Sequence, residues 1–240
     1  LGMIIISLGI CLFGMTPFGW RIMGTLFGIL MLPLIYLIAR GITKERPLAG
    51  LACLLFAVDF MHFAQTRIAT IDVFVTFFIL LMYFFMYRYC RMSFYDTSLG
   101  KTLLPLGACG ISMGLGIACK WPGVYAGIGL AVLFFATLYR RYREYRYAKN
   151  DPDGISNGIT HRRILRCFAS HTRNTCLFCL VFFIPVPAAI YVLSYIPFVG
   201  SYDGLFSKMW HNQFSMLDYH ANLKATHSYS SPWYEWPTMI

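Results

Sequence analysis

Residues 71–87 read Ile71-Asp-Val-Phe-Val-Thr-Phe-Phe-Ile-Leu-Leu-Met-Tyr-Phe-Phe-Met-Tyr87, with Asp72 as the single charge. A helix of about 18–20 such residues covers the roughly 30 Å of a bilayer's hydrocarbon, so this stretch reads as a membrane span. Working outward, the same texture recurs at about Trp20 to Ala39, Leu48 to Thr66, Thr102 to Cys119, Trp121 to Tyr139 and Thr175 to Pro197. The expectation is an all-α integral membrane protein, a bundle of about six spans joined by polar loops. Only 12% of the 240 residues are charged and the mean hydropathy is +0.60, which excludes an ordinary soluble domain. Met3 to Phe13 is apolar but too short to cross, and is read as an interfacial helix ahead of the turn Thr16-Pro17-Phe18-Gly19. Gly24-Thr-Leu-Phe-Gly28 has the spacing of close helix packing in a bilayer.

Orientation follows from the basic residues between spans. Fifteen of the twenty Lys and Arg fall in the loops containing Arg40, Arg88 and the run Arg140–Arg173; five fall on the other side. That bias predicts the first set to be cytoplasmic. Residues 1–19 then close an extracytoplasmic loop, 20–197 form the bundle with a long basic cytoplasmic loop at 140–173, and 198–240 begin a large extracytoplasmic loop. The net charge of +10 is accounted for by topology and anionic lipid, not nucleic acid. Most of the eight cysteines sit in apolar runs, where Cys acts as a small hydrophobe. Cys176-Leu-Phe-Cys179 has redox-motif spacing but no second pair and no neighbouring His cluster, so neither a redox nor a metal role is expected.

The informative residues are the charges on the less basic side. Arg21 opens the first span, Asp59, His62, Arg67 and Asp72 surround the junction of the second and third, and Lys120 lies between the fourth and fifth. Charges at membrane depth are costly and tend to be functional. Three cations beside a few carboxylates suit an anionic headgroup, with Arg as a bidentate fork and Lys as a point charge. Pro122 marks a helix start after Lys120, which adds a helix N-terminus to the same place. The plainer reading is snorkelling, with Trp20 and Trp121 as belt residues. Asp59 and Asp72 are expected to pair with Arg67, and His62 to be a packed, hydrogen-bonded residue or a proton carrier. The tail from Trp210 to Trp236 is rich in aromatics, amides and imidazoles, suited to stacking on sugars or to an interfacial belt. Its histidines do not have compact metal-ligand spacing.

Three motifs in order resemble the protein O-mannosyltransferases, membrane glycosyltransferases of the GT-C type, with the tail closest to bacterial members. They are Asp59-Phe-Met-His-Phe-Ala-Gln-Thr-Arg67-Ile-Ala-Thr-Ile-Asp72, Lys120-Trp-Pro-Gly123 after a small-residue helix, and the tail ending in His227-Ser-Tyr229-Ser-Ser231-Pro-Trp233-Tyr-Glu-Trp236-Pro237. The resemblance implies inverting transfer of mannose from polyprenyl-phosphate-mannose to Ser or Thr hydroxyls of exported polypeptides, at the outer face of the cytoplasmic (plasma) membrane. It implies no cofactor and no metal. Arg21, Arg67 and Lys120 would hold the donor phosphate, Asp59, His62 and Asp72 would support them, and His227, Tyr229, Ser231, Trp233 and Trp236 would line the sugar or acceptor side. The family's catalytic acidic pair would fall upstream of Leu1, so the chain is expected to be truncated at both ends and inactive alone. Ser228 stands where the family often has Pro. The alternatives are a related transferase of another sugar, such as aminoarabinose to lipid A, and a membrane transporter, which should carry its charges at the bilayer midplane instead.

Overall fold

The computed structural model describes residues 1–156, 158–199 and 204–223. It divides into two units, 1–194 and 195–240. The first is a helical bundle. Helix α1 (Gly2–Phe13) stops at Gly14, whose φ of 77° only glycine adopts cheaply. Helix α2 (Pro17–Thr43) starts where Thr16 accepts a hydrogen bond from the Gly19 amide at 3.1 Å with Pro17 at the first turn. Then follow α3 (Arg46–Val58), α4 (Phe60–Thr66), α5 (Asp72–Arg91), α6 (Leu99–Cys119) and α7 (Pro122–Asn150). A two-stranded hairpin, β1 (Ile155–Ser156) with β2 (Ile159–Thr160), precedes α8 (His161–Phe182) and α9 (Pro185–Leu193).

Among the described residues, five helices are long and apolar enough to cross a membrane, or six if α3 and α4 count as one bent span. The protein is therefore an all-α integral membrane protein of the class read from the sequence. Its outward apolar side chains, among them Leu54, Leu55, Ile128, Phe135 and Leu180, are exposed as lipid-facing residues should be. The interior is built around α5 and α6, where Met82, Met86, Tyr89, Leu106 and Cys109 pack with Leu130 and Phe134 of α7. A second cluster joins Ile6 of α1 to Phe74, Val75 and Phe78 of α5.

Three departures from the sequence reading have local causes. The second span is not one helix: it breaks at Asp59 with a 58° bend between α3 and α4. The Asp59 carboxylate accepts from the His62 amide at 2.8 Å and restarts the helix, as an N-cap does. The basic stretch 140–173 is mostly helix, because its Arg, Tyr, Glu and Lys residues prolong α7 well past the span. The turn Asp151-Pro-Asp-Gly154 ends it, with the Gly154 amide bonded to the Asp151 carbonyl at 3.3 Å. The last span is interrupted at Phe183–Ile184, ahead of Pro185, which lacks an amide proton.

The Gly24–Gly28 pair does mediate a close approach, though to a chain segment and not to a long helix. A side chain at Gly24 would come within 3.3 Å of the Thr66 carbonyl, and one at Gly28 would overlap the Thr66 side chain. Thr25, on the same stretch, donates to the Thr66 carbonyl at 3.1 Å. The end of α4 is thus seated on α2.

The second unit contains α10 (Leu205–Asn222). Within it, Phe206, Trp210, Phe214 and Leu217 recur at helical spacing and are exposed. The residues His227, Tyr229, Ser231, Trp233 and Trp236 lie outside the described residues.

Candidate functional site

The charges singled out from sequence gather at one end of the bundle. Arg21 is in the first turns of α2, Arg67 caps α4, Asp72 begins α5 and Lys120 ends α6. Arg21 and Arg67 line one open cleft of about 440 Å³, together with Thr25, Phe60, Phe63 and Ile68. Two polar side chains from separate elements therefore face the same space. The grip of Gly24, Thr25 and Gly28 on Thr66 is what brings them there.

Arg67 is not paired as expected. Its guanidinium lies 4.9 Å from the centroid of the Phe63 ring, and among the described residues it has no ion pair or hydrogen bond from its side chain. Asp59 is occupied as the cap of α4. Asp72 instead accepts from Lys120 at 2.6 Å, with both side chains about half exposed, so the pair is worth about 0–1 kcal/mol and serves mainly to orient. The capping role of Asp59 is testable. Asp59→Ala should cost about 1 kcal/mol while Asp59→Asn stays near wild type, read as the midpoint of thermal unfolding.

His62 is a wall residue. Its ring packs 4.2 Å from the centroid of Phe56. It lines a cleft of about 340 Å³ shared with Arg67 and Thr25, and a smaller one of about 210 Å³ shared with Asp59, Asp72 and Gln65. The three clefts run side by side around α4. Lys120 does not line the cleft where the two arginines meet; it reaches the neighbouring one through Asp72. Trp121 donates to the Tyr191 hydroxyl at 3.4 Å, and α7 begins at Pro122 as its sequence indicated.

Sequence reasoning passed over Thr25, Phe60 and Phe63. Two of them carried a signal: Thr25 is four residues after Arg21 and Phe63 four before Arg67, so each shares a helical face with an arginine. The cleft is chemically simple. It offers two guanidinium groups, one hydroxyl and aromatic walls, which suits an anion carried on an apolar chain.

Residues 5–199 match the family model of dolichyl-phosphate-mannose-protein mannosyltransferase. A polyprenol-phosphate-mannose–protein mannosyltransferase of Mycolicibacterium smegmatis is 25% identical over 281 residues, covering 98% of this chain and 50% of that protein. Its namesake in Mycobacterium tuberculosis is 22% identical over 98% of the chain and 49% of its own length. One in Corynebacterium glutamicum is 24% identical over 95% and 48%. The chain thus spans about half the length of the curated relatives it matches. No solved structure matches it. With the match running through the bundle and across the Arg21–Arg67 cleft, the chain belongs to the dolichyl-phosphate-mannose-protein mannosyltransferase family.

Proposed function

We propose that the protein transfers mannose from polyprenyl-phosphate-mannose to Ser or Thr hydroxyls of exported polypeptides, and that Arg21 and Arg67 hold the donor phosphate. The observation that supports this is the cleft that Arg21 and Arg67 both line, with no carboxylate pairing Arg67 among the described residues. An unpaired cation at membrane depth is expensive, and a lipid phosphate is the anion available at that level. When the bond from the anomeric carbon to the phosphate oxygen breaks, negative charge accumulates on the phosphate. Guanidinium groups already in place stabilise it without reorganising. Lys120 and Asp72 stand beside the site as an ion pair that adds no net charge to it.

The acceptor hydroxyl adds its oxygen to the anomeric carbon as the phosphate departs, with inversion, and a base takes its proton. Asp59 and Asp72 are committed to capping and to Lys120, so neither is assigned that task. The base is proposed to lie outside these 240 residues, and the 240-residue chain alone to be inactive. No cofactor or metal is invoked in this reading.

The proposed orientation puts the Arg67 end outside the plasma membrane and the basic stretch 140–173 inside. In a background with the native cysteines replaced, Ile155→Cys should react with a membrane-impermeant thiol reagent only in opened cells, and Ser215→Cys in intact ones. The reverse pattern would overturn the topology. The transfer assay uses full-length protein in membranes with polyprenyl-phosphate-mannose and a Ser/Thr-rich peptide. Labelling of the peptide is expected; no labelling from this donor, with transfer to lipid A when polyprenyl-phosphate-aminoarabinose and lipid A are supplied instead, would favour the aminoarabinose-type alternative.

A further inference from the structure

A second cavity lies at the opposite end of the bundle from the Arg67 cleft. It has about 690 Å³ and is lined by Arg91, Arg140, Arg141 and Arg143 with Tyr139 and Tyr147. Arg141 is 2% exposed, among the most enclosed side chains in the protein. Its guanidinium sits 4.4 Å from the Tyr89 ring centroid and 4.1 Å from that of Phe94, and donates to the Tyr89 hydroxyl. No carboxylate pairs with it among the described residues; aromatic faces hold it instead. Arg91 donates to the Gly41 carbonyl and to the Tyr87 hydroxyl, Arg140 donates to the Cys90 carbonyl at 2.6 Å, and the Arg143 side chain has no hydrogen bond or ion pair among the described residues. Two carboxylates share the lining. Asp96 is 3.6 Å from Arg163, which leaves Glu144 against four guanidinium groups. Burial pushes the Tyr95 phenol up, with Glu144 adding to it, so that wall stays neutral.

The level of the cavity follows from helix geometry. Arg91 is the last residue of α5, about 29 Å along the axis from Asp72, and Tyr139 to Arg143 lie about 26–32 Å along α7 from Pro122. Both distances match the roughly 30 Å hydrocarbon thickness, so the cavity opens at headgroup depth. Its far wall is fixed by the β1–β2 hairpin, where Ser156 and His161 are bonded at 2.7 Å and His161 is also bonded to the Asp151 carbonyl.

We infer that this cavity is a second anion site, which binds the phosphate group of an anionic membrane lipid. It stands apart from the donor site and does not depend on the mannosyltransferase reading.

The test is native mass spectrometry of full-length protein taken from liposomes of equal parts phosphatidylcholine and phosphatidylglycerol. Wild type should retain phosphatidylglycerol. Arg140→Gln/Arg143→Gln should reduce retention about tenfold, the loss expected for charge-assisted contacts. Arg143→Gln alone removes no internal bond, so it should fold normally and lose retention in the same direction. Arg166→Gln/Arg173→Gln removes the same charge from exposed positions outside the cavity and should leave retention unchanged. If lipid is not retained but inorganic phosphate raises the thermal midpoint of wild type and not of Arg143→Gln, the site takes phosphate from solution. Retention unchanged in Arg143→Gln with no phosphate effect, or equal loss in the Arg166/Arg173 control, overturns the assignment.

Discussion

Replacing Arg67 with Ala should lower mannosyl transfer by tenfold or more while leaving membrane insertion and thermal stability near wild type. The guanidinium makes no ion pair or side-chain hydrogen bond among the described residues and rests on Phe63, so the fold loses little when it goes. A charge-assisted hydrogen bond is worth about 1.5–3 kcal/mol, which corresponds to roughly 10–150-fold in rate if it is realised on the departing phosphate. The loss should fall on kcat as well as on the KM for donor, because the charge on the phosphate grows as the bond breaks. Arg67→Lys should be intermediate, since Lys keeps the charge but not the two-pronged geometry. Normal transfer by Arg67→Ala would remove Arg67 from the site.

The second large effect is structural in origin and functional in outcome. Gly28→Val places a methyl-bearing carbon where Thr66 already is. Overfilling a packed contact costs about 1–3 kcal/mol, only partly offset by the better helix propensity of Val. The strain should not be confined to α2. Thr66 is bonded to Thr25 through its carbonyl and is followed directly by Arg67, so moving it moves the guanidinium away from Arg21. The expected result is a melting temperature lower by several degrees together with impaired transfer. Gly50→Val is the control: no atom lies within 4 Å of a side chain at Gly50, so it should change neither. Normal transfer by Gly28→Val would mean that the seating of α4 on α2 does not govern the cleft.

How far the sequence could be read depended on the kind of signal. The spans were legible because lipid imposes one requirement, a long apolar helix, on every one of them. Arg21 and Arg67 were legible because charges stand out against that background. The break at Asp59 was not, because Asp59 reads equally as a charge on a continuous helix and as a cap that restarts one; the two differ only in backbone conformation. The partner of Asp72 was missed for a related reason. Arg67 is close to it in sequence, while Lys120 is 48 residues away and arrives only through the packing of α6 on α5. Arg141 could not be told from Arg140 or Arg143 in a basic run; its burial depends on Tyr89 and Phe94, which come from a different part of the chain. The extension of α7 past the membrane was hidden because the positive-inside pattern marks where a chain leaves the bilayer but not whether its helix ends there.

Occupation of the Arg21–Arg67 cleft by a polyprenyl phosphate can be read by labelling protection. Ala64 lines that cleft without contributing charge. In full-length protein with the native cysteines replaced, Ala64→Cys should react with a thiol reagent. Polyprenyl phosphate should slow the reaction in the wild-type background and not in Arg67→Ala, while the uncharged polyprenol has no effect in either. Equal protection by alcohol and phosphate, or protection that survives the loss of Arg67, would mean that the cleft does not bind the phosphate through Arg67.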